Sequence, residues 1–105
     1  MYDVRVEDIV AERELVFRES GSELDQPVVV RLGRPHLGEH APNYTIYYEI
    51  QGPGDALYTY FAAGVDSMQA LVLVFVAVNA HLDRLKQGGR LSWLDAEDLG
   101  FPTGC

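Results

Sequence analysis

The residues able to do chemistry are few, and the densest group is His36-Leu37-Gly38-Glu39-His40. It matches the H-x-x-E-H pattern, in which two helical histidines hold a metal and a glutamate is poised over the bound water. That chemistry needs both imidazoles on one helix face and a further acidic ligand. Here Gly38 sits inside the motif and Pro35 and Pro42 flank it, so a solvated loop is expected instead. His36 and His40 stand as the candidate metal ligands, for adventitious binding, and no cofactor is expected. His81 falls within a helical pattern, where an imidazole is usually partly buried or held by the helix dipole rather than acting as a base. Gly52-Pro53-Gly54 lacks the following helix and the Lys-Ser/Thr pair of a phosphate loop. Gly64-Val65-Asp66-Ser67 opens a helix, but Asp66 already supplies the negative charge its free N–H groups would attract. The single cysteine, Cys105, is last in the sequence, cannot make an internal disulfide and has no structured base beside it. No Ser-His-Asp or Cys-His set assembles, so a non-enzymatic protein is expected.

The element that must organise these residues runs from Asp66 to Leu85. Asp66 is suited to be N-cap, accepting from the N–H of Met68 or Gln69, and Gln69 at N3 can reach back. Arg84 and Lys86 favour the C-terminal end, where Gly88-Gly89 would supply a left-handed cap. Met68, Leu71, Phe75, Val78, Leu82 and Leu85 repeat at spacings of three and four, the stripe of an amphipathic helix. Ala70 to Val78 alone would pass for a buried strand, but the caps and the length of the pattern decide for helix. That unbroken apolar run is short of the roughly 18–20 residues a membrane span needs, so no membrane role is expected. Outside the stripe, Val72, Leu73, Val74, Val76 and Ala77 make the first half apolar nearly all round. A helix apolar on every side asks for cover on every side, and in a short chain a partner surface is one source of it.

Ahead of the helix the pattern is β. After a short lead over 1–8, strands are expected from Ile9 to Arg18, Gln26 to Gly33, Asn43 to Gln51 and Ala56 to Ala63. Ser20-Gly21-Ser22 and Gly52-Pro53-Gly54-Asp55 are the turns, and residues 33–42 a loop. Tyr44, Ile46, Tyr48 and Ile50 share one face of the third strand, with Thr45, Tyr47, Glu49 and Gln51 opposite. Tyr58, Tyr60 and Ala62 oppose Leu57, Thr59 and Phe61 on the fourth. The helix can cover only one sheet face, so some tyrosines should meet water, a groove or an interface. Arg90 to Leu94 is a short edge strand or an extended segment packing Trp93, and 95–105 is expected to be a loose acidic tail with Leu99 and Phe101 as anchors.

The 105 residues bear a net charge of −8, with no Lys or Arg between Pro35 and Asp83. That disfavours nucleic acid, which needs clustered positive charge, and suits either a basic protein partner or plain solubility. No charged leader precedes an apolar segment and no prenylation box follows Cys105, so a cytoplasmic location is the default expectation.

The segments around Val30-Arg-Leu-Gly-Arg-Pro35, Tyr48-Glu-Ile-Gln-Gly52, Gly64-Val-Asp-Ser-Met-Gln-Ala-Leu71 and Gly89-Arg-Leu-Ser-Trp-Leu94 resemble a group of short bacterial proteins classed as a domain of unknown function. The resemblance covers roughly residues 10 to 94. It implies a bacterial, cytoplasmic, single-domain protein and brings no activity, cofactor or functional residue with it.

The expected architecture is α+β over 1–105: a four-stranded antiparallel meander, one long helix packed on one sheet face, and a short extended C-terminal segment. The leading expectation for function is a protein-binding or assembly module, joining a second copy as a homodimer or a basic partner. Val72, Val74, Val76, Tyr47, Tyr58 and Tyr60 are its candidate interface residues. The alternative is a small-molecule binder or enzyme with Tyr47, Tyr58, Tyr60 and the histidine loop around a pocket on the open sheet face.

Overall fold

Alternation along the strands builds the sheet, and the last of its apolar faces is closed by the helix. The computed structural model describes residues 8–38 and 43–101. The order is β1 (Ala11–Glu19), β2 (Asp25–Leu32), β3 (His36–Leu37), β4 (Tyr44–Gln51), β5 (Leu57–Gly64), α1 (Ser67–Leu85) and β6 (Gly89–Ser92). The fold is α+β, one antiparallel sheet with one helix packed against it, and it has six strands rather than four. β1, β2, β4 and β5 form the expected meander.

The two additional strands have different origins. Residues 33–35 break β2, but Gly33 N–H still donates to Tyr47 O at 2.8 Å. That bond keeps the chain beside β4, and pairing resumes as His36↔Thr45 and Leu37↔Tyr44. β2 and β3 therefore occupy the same side of β4, and His36 lies on a strand rather than in a loop. β6 pairs with β1, Phe17 opposite Leu91. α1 thus carries the chain from one sheet edge, β5, to the other.

Register decides which face is covered. Val30 opposes Ile50, and Ile50 in turn opposes Tyr58. Leu15, Phe17, Val28, Val30, Leu32, Ile46, Tyr48 and Ile50 are buried on that face, with Leu91 beside them. Burying each such side chain stabilises by roughly 1.5–3 kcal/mol relative to leaving it in water. The opposite face bears an ion network: Arg31 donates to Glu12 at 2.7 Å, Glu49 at 2.9 Å and Gln51 at 2.7 Å. It ties β1, β2 and β4 together across the open face.

The helix begins as its sequence requires. Asp66 accepts from Gln69 N–H at 2.8 Å, and the Gln69 side chain accepts from Val65 N–H at 2.7 Å. Its inward line is Ala70, Val74, Val78 and Leu82, flanked by Leu71, Phe75 and Leu85. The stripe read from periodicity is thus rotated at its start, where Met68 is 74% exposed. Periodicity had little to work with there, because that half is apolar on all sides. At the C-terminal end Lys86 is right-handed (φ −62°), and the chain leaves through Gln87 N–H to Arg84 O and Gly88 N–H to Leu85 O. No left-handed glycine closes this helix. Gly89 serves instead as a close approach, since a Cβ there would collide with the Arg18 carbonyl and come within 2.8 Å of the Phe17 ring.

By length and composition α1 would suffice to cross a membrane, more than its unbroken apolar run suggests. The sheet packs along one side of it, and 22% of that apolar window is buried.

The segment after β6 is pinned rather than loose as far as Phe101. Trp93 and Ala96 exchange N–H···O bonds at 2.8 and 2.9 Å, and Leu99 is buried. Arg13, at the end of β1 on the helix side, donates to Leu99 O at 2.9 Å. Its guanidinium lies 3.7 Å from the Trp93 ring centroid and 5.0 Å from that of Phe101.

Candidate functional site

Register separates the three tyrosines expected to share one lining. Tyr47 is on the open face, where His36 stacks on it at 5.4 Å and Phe61 meets it edge-on at 5.8 Å. Tyr58 is on the other face, beneath α1, stacked on His81 at 4.3 Å. Tyr60 shares the face of Tyr58 but is 52% exposed, because it stands where the sheet ends. A pocket formed by Tyr47, Tyr58 and Tyr60 together is therefore not present.

The described part of the histidine motif, residues 36–38, is not helical. His36 is a strand residue with Nδ1 3.4 Å from Arg34 O, and Glu39 and His40 lie outside the described residues, as does Cys105. Among the described residues, no cluster of three or more His, Cys, Asp or Glu is placed to hold a metal. His81 has a buried Nδ1 with no hydrogen-bond partner. Burial, and then the charge of Arg84, lowers its pKa and favours the neutral ring. Burial holds the Tyr48 hydroxyl well above the usual tyrosine pKa, with neighbouring Tyr58 adding to it.

The helix residues expected at an interface divide by depth. Val74 is fully buried against the sheet and belongs to the core. Val76 is half-buried. Val72 is 55% exposed, and Val65, Met68 and Leu73 are exposed with it. Leu73 lies on the β5 flank of the helix, the flank of His81, and Val65 directly follows β5, whereas Met68 and Val72 lie on the other flank with Phe75. β5 is eight residues long and carries no charged side chain. It also exposes Leu57, Tyr60 and Phe61. From Ala56 to Leu82 the sole Asp, Glu, Lys or Arg is Asp66, and it is engaged as the cap. The result is a neutral, apolar surface on an otherwise acidic chain. Isolated exposed apolar residues are ordinary, but a connected group beside an unpaired strand marks a contact surface.

Sequence reasoning missed β5 as an edge and Arg13 as the clamp on the tail. A signal for the first was present: a long stretch without Lys, Pro or charge at the end of a meander. None pointed to the second, since Arg13 and Leu99 are 86 residues apart.

The geometry defines a class: a small antiparallel-sheet domain with one covering helix and an apolar surface spanning the helix and one sheet edge. The chain belongs to the domain-of-unknown-function family DUF6968, whose model matches residues 11–103. Comparison with curated proteins and with solved structures finds no match.

Proposed function

We propose that the protein is a non-enzymatic binding and assembly module that works through the surface formed by the outer side of α1 and strand β5. The observation that carries this reading is the uncharged apolar edge, Leu73 on the β5 flank of α1 with Leu57, Tyr60 and Phe61 on β5 itself, exposed to water while the inward side of the helix is already buried. Covering it would recover roughly 25 cal/mol per Å² of apolar area. The arginines add support against a nucleic-acid role. Arg18 pairs with Asp25, Arg31 with Glu12 and Glu49, and Arg34 with Asp8, while Arg13 is stacked on Trp93. Positive charge already matched by acids gives little attraction for phosphate backbones.

The test is native mass spectrometry of the tagged protein, purified and in complexes captured from lysate, with wild type run against Leu73→Lys. The expected result is association by the wild type that is lost in the variant while its circular dichroism is unchanged. Equal association by both, or none by either, would refute the reading.

A further inference from the structure

The neutral edge identifies its own partner. Of the two outer strands, β6 has four residues and includes Arg90, whereas β5 has eight and no charge, proline or lysine. Long uncharged edges are what sheets normally avoid, because they template the addition of another strand.

The direction of β5's free groups follows from register. Tyr47 gives its carbonyl to Gly33, on the side of β4 away from β5. Its cross-strand partner Phe61 is therefore in a non-hydrogen-bonded pair, and its N–H and C=O point outward. By alternation so do those of Leu57, Thr59 and Ala63. A two-fold axis perpendicular to the sheet requires one residue to oppose its own copy. Placed at Tyr60, it pairs Leu57 with Ala63 and Thr59 with Phe61 of the second copy, and symmetrically, so all four outward-facing residues bond. Both helices then lie on the same side of a continuous sheet.

The helices fit this arrangement. α1 packs chiefly on β5 and next on β4. With strands about 4.8 Å apart, a helix seated over the β4–β5 seam stands about 5 Å from the axis, and two copies lie about 10 Å apart. Helices pack at about 8–10 Å. The flank turned toward the axis is the one bearing His81, which stacks on β5, and it carries Leu73, the small Ala77 and Ala80, and Arg84 near the end of the helix. Charge selects the same partner: the surface has nothing for a basic protein to match, but it matches itself. We propose that this face joins two copies of the chain through antiparallel β5–β5 pairing, giving a ten-strand-wide sheet with two helices side by side. This rests on the assembly reading above and names its partner.

The experiment uses the full chain at rising concentration in light scattering coupled to size exclusion, with three variants. Wild type should show twice the 11.7 kDa chain mass. Phe61→Lys, which places charge on an exposed edge residue, should weaken the dimer at least tenfold with an unchanged circular dichroism spectrum. Tyr60→Cys in a Cys105→Ser background should form an intermolecular disulfide under mild oxidation, since position 60 opposes its own copy across the axis. A wild-type monomer at every concentration overturns the pairing, and a foreign partner lost in Leu73→Lys would then keep the assembly reading alone. A dimer that survives Phe61→Lys, fails to cross-link in the Tyr60→Cys variant and dissociates in Leu73→Lys also overturns it, leaving association through the helix only.

Discussion

Arg13→Ala should release the C-terminal segment from the sheet, and its size can be worked from the contacts. The guanidinium lies 3.7 Å from the Trp93 ring and is partly buried there. Such a contact contributes from about 0.5–1 kcal/mol in the open to about 2 kcal/mol when desolvated. The hydrogen bond to Leu99 O, at 2.9 Å, comes from a charged donor and is in the range of about 1.5–3 kcal/mol. Some of both is regained when water reaches the freed groups, so a loss of roughly 2–3 kcal/mol is expected. With a urea slope of about 1–3 kcal/mol/M for a small domain, the midpoint should fall by roughly 1 M or more. Trp93 is the chain's single tryptophan, so its fluorescence reports the clamp directly while circular dichroism follows the sheet. In the variant, Trp93 should redden in the folded state. Arg13→Lys should recover only part of the loss, because an ammonium cannot stack flat on the ring and reach the carbonyl as the planar fork does. A stability within about 0.5 kcal/mol of wild type, with unchanged emission, would refute the clamp.

Gly52 has φ +94°, and a Cβ on it would run into the Pro27 carbonyl, so Gly52→Ala should cost more than about 2 kcal/mol by urea titration. Gly54→Ala, with φ +63° and a Cβ that would meet only Gln26 Oε1 at 3.9 Å, should cost only about 1 kcal/mol. The His81 pKa is lowered from 6.5 in the folded chain, so below pH 6.5 the unfolded chain binds more protons. Its contribution is therefore full above pH 6.5 and is lost as pH falls through the folded pKa; His81→Phe should flatten that part of a urea-midpoint profile, and an unaltered profile would count against it. Val72→Lys should leave folding stability within about 0.5 kcal/mol, whereas Val74→Lys should abolish cooperative unfolding, because only the second buries a charge.

Much of the fold was legible in short windows of sequence. The alternation of Tyr44 to Gln51 set the two faces of β4, and Asp66 with Gln69 set the start of α1. These signals are local: a strand's period of two and a cap's hydrogen bond involve residues within a few positions of one another. The neutral stretch from Ala56 to Leu82 was equally plain in composition, and all of the candidate surface lay in it.

What the tertiary structure alone decided depends on residues far apart. The apolar first half of α1 offered no preferred side until Ala70 and Val74 met the sheet, which moved Val74 into the core and left Met68 in water. His36 became a strand residue because β4 was there to pair with it, and Gly89 is required by Arg18 and Phe17 rather than by a helix cap. Pairing of Tyr48 with Tyr60 sent Tyr58 and Tyr60 to the face away from Tyr47. Composition and periodicity fix what each segment is; register and docking, which are contacts across the chain, fix which of its sides remains exposed.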